Sequence, residues 1–275
     1  MHLVTVRTES GTRAGRVEGS EIVLLDHDDV RGVIEAEDGI TAVTDLDGER
    51  MSLAEASLAP VIPKPDKIIC VGVNYADHVA EMGRTPPEAP TYFAKFARAL
   101  AGPHDDLVLP DPDHTSHIDW ECELAVIIGS PVRHATTSED ALAGIAGYAV
   151  LNDVSCRDWQ RRTSQFLGGK TWESLTPLGP ALVTKDEVGD GSGLNISTTV
   201  DGVVKQESNT DHLIFNVIDV VKDLSRILTL DPGDVIATGT PGGVGAARTP
   251  PEWLAPGRTM ITTIEGVGQL VNTCV

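Results

Sequence analysis

The stretch Ile118-Asp119-Trp120-Glu121-Cys122-Glu123-Leu124-Ala125-Val126-Ile127-Ile128-Gly129 places two carboxylates inside an apolar run of strand length. Side chains at i and i+2 of a strand share a face, so Glu121 and Glu123 point the same way while Cys122 and Leu124 face the opposite side. Two like charges so placed repel each other. A divalent cation relieves that repulsion, and hard ions such as Mg²⁺, Mn²⁺ or Ca²⁺ take carboxylate oxygen as ligand. For an isolated Glu-x-Glu an edge strand with two solvated acids is the simpler reading. Here the apolar run on the C-terminal side marks a central strand, and further acids and bases recur downstream.

The strand predicted over Gly147-Tyr148-Ala149-Val150-Leu151-Asn152-Asp153 ends on a third acid. Asp153 reads either as the cap of a helix over Val154 to Gln165 or, with Glu121 and Glu123, as the third member of an all-oxygen site with positions left for water and substrate. Arg157 and Gln160 follow at i+4 and i+7 on one face of that helix, beside Asp153. In Leu167-Gly168-Gly169-Lys170 the paired glycines allow a close backbone approach. Most single lysines are surface residues, but one held beside a metal-bound anion stabilises developing negative charge.

Composition bounds the class. The chain has 275 residues, 41% of them hydrophobic and 23% charged, and a formal net charge of −20. That charge argues against nucleic acid and against anionic membrane surfaces, although a metal and a few bases can reverse the field inside one pocket. Cys70, Cys122, Cys156 and Cys274 form no CxxC pair, so they read as buried reduced thiols. The N-terminus turns polar at once, unlike a signal peptide, and no stretch reaches the roughly 18 apolar residues of a membrane span. These features predict a cytoplasmic protein.

Residues 1–62 read as a small β-rich domain, with strand candidates at Leu3 to Arg7, Arg16 to Glu18 and Glu21 to Leu25. Pro60, Pro63 and Pro65 mark the boundary, and residues 63–275 form the main domain. There a strand from Lys67 to Val73 leads into a short helix ending at Gly83, on which His78 and Glu81 share a face. A histidine oriented by a carboxylate is how a general base is built, though a surface pair is the plainer alternative. Residues 84 to 117 read as loops around Tyr92 to Phe96, with solvated histidines at 104, 114 and 117. Ser138 is the predicted cap of a helix that gives way to the strand ending at Asp153. An Asp201-Gly202 turn predicts a hairpin, and Asp211 to Leu228 has helical apolar spacing. The glycine-rich loop after the strand Val235 to Thr238 lacks the lysine of a P-loop. Its N–H groups and the Thr240 hydroxyl fit a carboxylate better. Strands from Thr259 to Glu265 and Gln269 to Thr273 are expected to finish the sheet.

Four segments in order, Val73-Asn74-Tyr75-Ala76-Asp77-His78-Val79-Ala80-Glu81, Asp119-Trp120-Glu121-Cys122-Glu123-Leu124-Ala125, Asn152-Asp153-Val154-Ser155-Cys156-Arg157-Asp158 and Ala237-Thr238-Gly239-Thr240-Pro241, resemble the fumarylacetoacetate hydrolase family. The resemblance covers roughly residues 64 to 275 and is greatest to the branch of acylpyruvate hydrolases, 2-hydroxyhepta-2,4-diene-1,7-dioate isomerases and oxaloacetate decarboxylases. It implies an α+β fold, a mixed β-sheet roll with flanking helices, in a homodimer carrying one Mg²⁺ or Mn²⁺ per subunit. Carried over residue by residue, the metal ligands are Glu121, Glu123 and Asp153, the catalytic residues are His78, Glu81 and Lys170, and the substrate-side residues are Arg157, Gln160 and Thr240. The chain departs from the family where it reads Lys170-Thr171-Trp172-Glu173 in place of Lys-Ser-Phe-Asp. The activity implied is C–C bond hydrolysis of an acylpyruvate or related 1,3-diketo acid through a metal-stabilised enolate. Isomerisation and oxaloacetate decarboxylation are the alternatives at the same site, and a non-catalytic acidic metal-binding protein is a third reading.

Overall fold

A computed structural model of the chain describes residues 1–81, 83 and 85–275. Its largest sheet reads across, strand by neighbouring strand, Arg50–Ser52, Glu21–Leu24, Gly11–Glu18, His2–Thr8, Thr176–Thr184, Ile145–Asn152, Cys122–Ile128, Val235–Ala237, Ile68–Gly72 and Thr91–Lys95, with Leu100–Ala101 paired beside Thr176–Thr184. Most pairs are antiparallel. Val235–Ala237 runs parallel to Ile68–Gly72, which makes the sheet mixed. The strands before residue 62 extend this sheet, Leu3 lying opposite Leu182.

The alternation of side chains along Cys122–Ile128 is what builds two layers. Cys122, Leu124, Val126 and Ile128 enter one buried cluster with Ile196, Ile264, Leu270 and the helix Val217–Ile227. Ala125 and Ile127 enter a second with Leu3, Val30, Val33, Ala149 and Leu151. Glu121 and Glu123 share the parity of Ala125 and Ile127, as Asp153 shares that of Ala149 and Leu151. The three acids therefore emerge from one face, at the end where these two strands stop.

Several elements differ from the sequence expectation. The two closing strands, Thr259–Ile264 and Gly268–Thr273, do not finish the main sheet. They join Asn195–Val200 and Val203–Asn209 in a separate four-stranded sheet that packs over it. The helix expected from Val154 shrinks to Arg157–Gln160, because Ser155–Cys156 pairs as a strand with Ile118–Asp119. Asp153 is thus no helix cap. Thr137, not Ser138, caps the helix Ser138–Ala143: its hydroxyl accepts from the Asp140 amide at 3.1 Å, and the Asp140 carboxylate accepts from the Thr137 amide at 3.1 Å. The helix expected from Asp211 starts at Val217, capped by Asn216 accepting from Asp219 N–H at 2.9 Å. It buries Val217, Val220, Val221 and Leu224, each burial contributing about 1.5–3 kcal/mol. Among the described residues no helix is long and apolar enough to cross a membrane.

Candidate active site

The site opens as a cavity of about 530 Å³ whose wall includes His78, Glu81, Glu121, Glu123, Arg157, Gln160, Lys170 and Thr240. Of the nine residues singled out in the sequence, these eight line it. The ninth, Asp153, lies fully buried behind Lys170, which donates to its Oδ2 at 2.7 Å. One oxygen from each of Glu121, Glu123 and Asp153 lies within 4.8 Å of the others. Backbone pairing sets this convergence: Leu151 sits opposite Glu123, and the Asp153 amide donates to the Glu121 carbonyl at 2.8 Å.

Four cationic or neutral groups hold the triad. Lys170 Nζ lies 2.5 Å from Glu121 Oε2, Lys95 Nζ lies 2.5 Å from Asp153 Oδ1, and Arg157 Nη1 lies 2.5 Å from Glu121 Oε1. Gly239 N–H donates to Glu123 Oε2 at 2.8 Å. Burial pushes the Glu121 carboxyl up, but the charges of Arg157 and Lys170 outweigh it and bring it down to about 2. Among the described residues Glu123 forms no ion pair, and the Lys170 charge lowers its carboxyl too little to offset the rest. Burial first, then the charges of Asp153 and Glu121, push its carboxyl well above the ordinary range. The Lys170 ammonium is disfavoured by burial yet held charged by Asp153 and Glu121. Three buried hard oxygen donors converging in this way could hold a divalent cation.

His78 and Glu81 meet as their spacing on the helix Ala76–Glu81 predicts, with His78 Nδ1 3.0 Å from Glu81 Oε2. Burial raises the Glu81 carboxyl, but hydrogen bonds from His78 and from Gly243 N–H more than offset this, so it sits below its usual range. With Nδ1 taken, Nε2 is the nitrogen available to a molecule in the cavity. The helix is anchored by Asn74, whose side-chain amide donates to Phe215 O at 2.9 Å and Thr238 O at 2.8 Å.

The glycine-rich loop behaves differently from expectation. Most of the amides it presents are engaged by carboxylates of the chain itself: Gly239 by Glu123, Gly243 by Glu81, and Gly245 and Ala246 by Asp119 at 2.6 and 3.0 Å. At Gly239 and Gly243 the backbone itself demands glycine: their φ values are +102° and +95°, and a Cβ would stand 2.8 Å from Asn74 Cβ at the first and 2.1 Å from the Lys205 carbonyl oxygen at the second. Thr240 Oγ1 accepts from Gln206 Nε2 at 2.8 Å, which turns the hydroxyl proton toward other acceptors. Gly169 packs so closely on Gln160 that a Cβ would come within 2.5 Å of its backbone nitrogen. The departure at Trp172 places its ring edge-on to Trp159, centroids 5.3 Å apart.

Sequence reasoning missed Lys95, Asp119 and Gln206. Asp119 accepts from Arg157 Nε at 2.7 Å, leaving the buried Nη2 of Arg157 without a partner among the described residues. The alternation Asp119-x-Glu121-x-Glu123 was a usable signal for it. Nothing local marks Lys95 or Gln206.

A mixed-sheet roll with a carboxylate triad and a histidine dyad in one cavity defines a small-molecule enzyme site, and comparison with known proteins gives its kind. Residues 67–275 match the family description Fumarylacetoacetate (FAA) hydrolase C-terminal. Oxaloacetate tautomerase FAHD2A, mitochondrial, of Bos taurus is 46% identical over 220 residues, which cover 79% of this chain and 69% of that protein. The fumarylacetoacetate hydrolase of Exiguobacterium antarcticum superposes with a TM-score of 0.87 at 33% identity, covering 100% of this chain and 99% of the other. The 5-carboxymethyl-2-hydroxymuconate delta-isomerase of Mycobacterium smegmatis gives 0.82 at 32% identity, with coverage of 100% and 99%. The chain belongs to the fumarylacetoacetate hydrolase family, in its acylpyruvate hydrolase and dienedioate isomerase-like branch.

Proposed function

We propose that the chain moves a proton within an enolisable 2-oxo acid held against a divalent cation, with oxaloacetate as substrate and keto–enol tautomerisation as the reaction. The observation that carries this reading is the His78–Glu81 dyad on the wall of the cavity that Glu121 and Glu123 of the carboxylate triad also line. The relatives named oxaloacetate tautomerases support the substrate. Glu121, Glu123 and Asp153 would hold Mg²⁺ or Mn²⁺. Bound there, the ion supplies positive charge beside the 2-oxo oxygen, which acidifies the adjacent C–H.

His78 Nε2 takes the proton from the carbon next to the 2-oxo group and returns it to oxygen, so the reaction leaves atoms and charge unchanged. Glu81 keeps the imidazole oriented and stabilises it while protonated. Lys170 offsets negative charge developing on the substrate oxygen. The free Nη2 of Arg157 and the Thr240 hydroxyl are donors for a carboxylate. When ionised, the buried carboxylates of Asp119, Glu121, Glu123 and Asp153 outnumber the buried cations Lys95, Arg157 and Lys170 by one. A divalent ion reverses that balance, and so an acidic protein admits an anion.

The same dyad supports a second reading, in which His78 activates water to attack the distal carbonyl of an acylpyruvate and cleaves the C–C bond. The fold likeness to a fumarylacetoacetate hydrolase favours it. Purified protein would be given oxaloacetate and acetylpyruvate in parallel, with Mg²⁺, Mn²⁺ or EDTA. Metal-dependent loss of the enol absorbance of oxaloacetate without CO₂ release is expected. Acetate and pyruvate from acetylpyruvate alone would establish the hydrolase instead, and no turnover of either would overturn both readings.

A further inference from the structure

Three cations line the cavity, and two are committed. Arg157 is ion-paired with Asp119 and Glu121 through Nε and Nη1, which leaves it a single buried N–H group, and Lys170 is ion-paired with Glu121 and Asp153. The third, Arg161, lines the same wall and is exposed, and among the described residues no carboxylate lies within ion-pair distance of it. Its amide donates to the Arg157 carbonyl at 3.1 Å, so the two side chains stand one helical turn apart, with Cβ atoms about 5–6 Å from each other. Arg162 next to it is turned away, its guanidinium lying 4.0 Å over the Trp159 ring. One wall thus carries a buried arginine beside the triad and an uncommitted one a turn nearer the mouth.

We propose that Arg161 is a specificity residue that takes the distal carboxylate of a dicarboxylic 2-oxo acid, the 2-oxo carboxylate end lying at the triad. This rests on the reading of the site as one for 2-oxo acids. A guanidinium offers two parallel N–H groups to a carboxylate, and a charge-assisted contact at a partly open mouth is worth about a tenfold preference. A substrate ending in a methyl group gains nothing from it.

Isothermal titration of the magnesium-loaded full chain with oxaloacetate and with 2-oxobutyrate, its four-carbon monocarboxylic counterpart, tests this. In the unmodified protein oxaloacetate is expected to bind more tightly. In Arg161→Gln the ratio of the two affinities falls about tenfold, and Arg161→Lys retains part of it. An unchanged ratio in Arg161→Gln, or no preference in the unmodified protein, overturns the proposal. A ratio that falls in a protein with no tautomerase activity leaves Arg161 its role and removes the reaction assigned above. Turnover with an unchanged ratio does the reverse, and absence of binding by either acid overturns both.

Discussion

Lys95 Nζ lies 2.5 Å from Asp153 Oδ1, across 58 residues of sequence, and both side chains are fully buried. Lys170 takes the other oxygen of Asp153 at 2.7 Å. The carboxylate is therefore gripped between two ammonium groups, and its orientation is set before any cation arrives. Such a pair is weak evidence of net stabilisation, but removing one member leaves a buried charge under-compensated, at a cost of about 3–5 kcal/mol. Lys95→Met, which keeps the volume, is expected to lose about 3 kcal/mol in the metal-free protein, the lower end because Lys170 remains. Urea unfolding with EDTA measures the loss, and a repeat at saturating Mg²⁺ should show part of it restored. Equal stability of the two proteins in EDTA would remove Lys95 from the account.

Glu123 gives the metal-free protein a pH-dependent contribution to its stability. Its carboxyl is pushed well above the ordinary range by burial and by Asp153 and Glu121. The folded protein then holds a proton that the unfolded chain has lost. The Glu123 contribution to the stability of the metal-free protein accordingly falls as pH rises above about 4.3, the unfolded value, until the folded group titrates. Glu123→Gln keeps the neutral shape and removes this slope. In EDTA the variant should gain on the unmodified protein between pH 5 and pH 8, while its Mg²⁺ affinity drops by more than the roughly 10–100-fold typical of an outer-shell partner. Parallel stability profiles would show that Glu123 is already ionised without a cation.

Much of the site was legible because it obeys local periodicities. Glu121 and Glu123 share a face by strand alternation, His78 and Glu81 by helical spacing, and Asp153 follows where an apolar run stops. Lys95 was not legible. It ends a strand, Thr91–Lys95, with no clean alternation of burial, in a stretch read as loop, and its partner is distant in sequence. Gln206 lies one residue past the predicted hairpin, and its contact with Thr240 depends on the second sheet folding over the first. That arrangement is a matter of strand pairing between distant segments, which residue pattern alone does not encode. The helix expected over Val154 to Gln165 failed for a related reason: pairing of Ser155–Cys156 with Ile118–Asp119 overrides local propensity.

The dyad should separate chemistry from binding. His78→Gln removes the proton carrier but none of the carboxylate ligands, so kcat is expected to fall roughly 10²- to 10⁴-fold with Mg²⁺ affinity retained. Glu81→Gln keeps the histidine but exchanges a charged partner for a neutral one, and its loss should be smaller. Steady-state kinetics with a parallel metal titration decide the matter. A kcat unchanged in His78→Gln would place proton transfer elsewhere in the cavity.

Gly169 tests whether the backbone, as distinct from the charges, sets the position of Lys170. The helices Arg157–Gln160 and Leu167–Lys170 approach so closely that a Cβ on Gly169 would lie 2.5 Å from Gln160 N and 2.6 Å from Gln160 Cα. Neither atom can rotate away, because both belong to the chain itself. Gly169→Ala must therefore push the helices apart, at a cost of about 1–3 kcal/mol for overpacking, and Lys170 and Arg157 move with them. Gly168, whose nearest neighbours lie 3.9 Å from a built Cβ, is the control, and Gly168→Ala should be tolerated. Thermal unfolding and kcat/KM on the two variants give the comparison. Equal effects would mean that the glycines serve flexibility, while loss confined to Gly169→Ala would mean that close packing against Gln160 holds the lysine over the carboxylates.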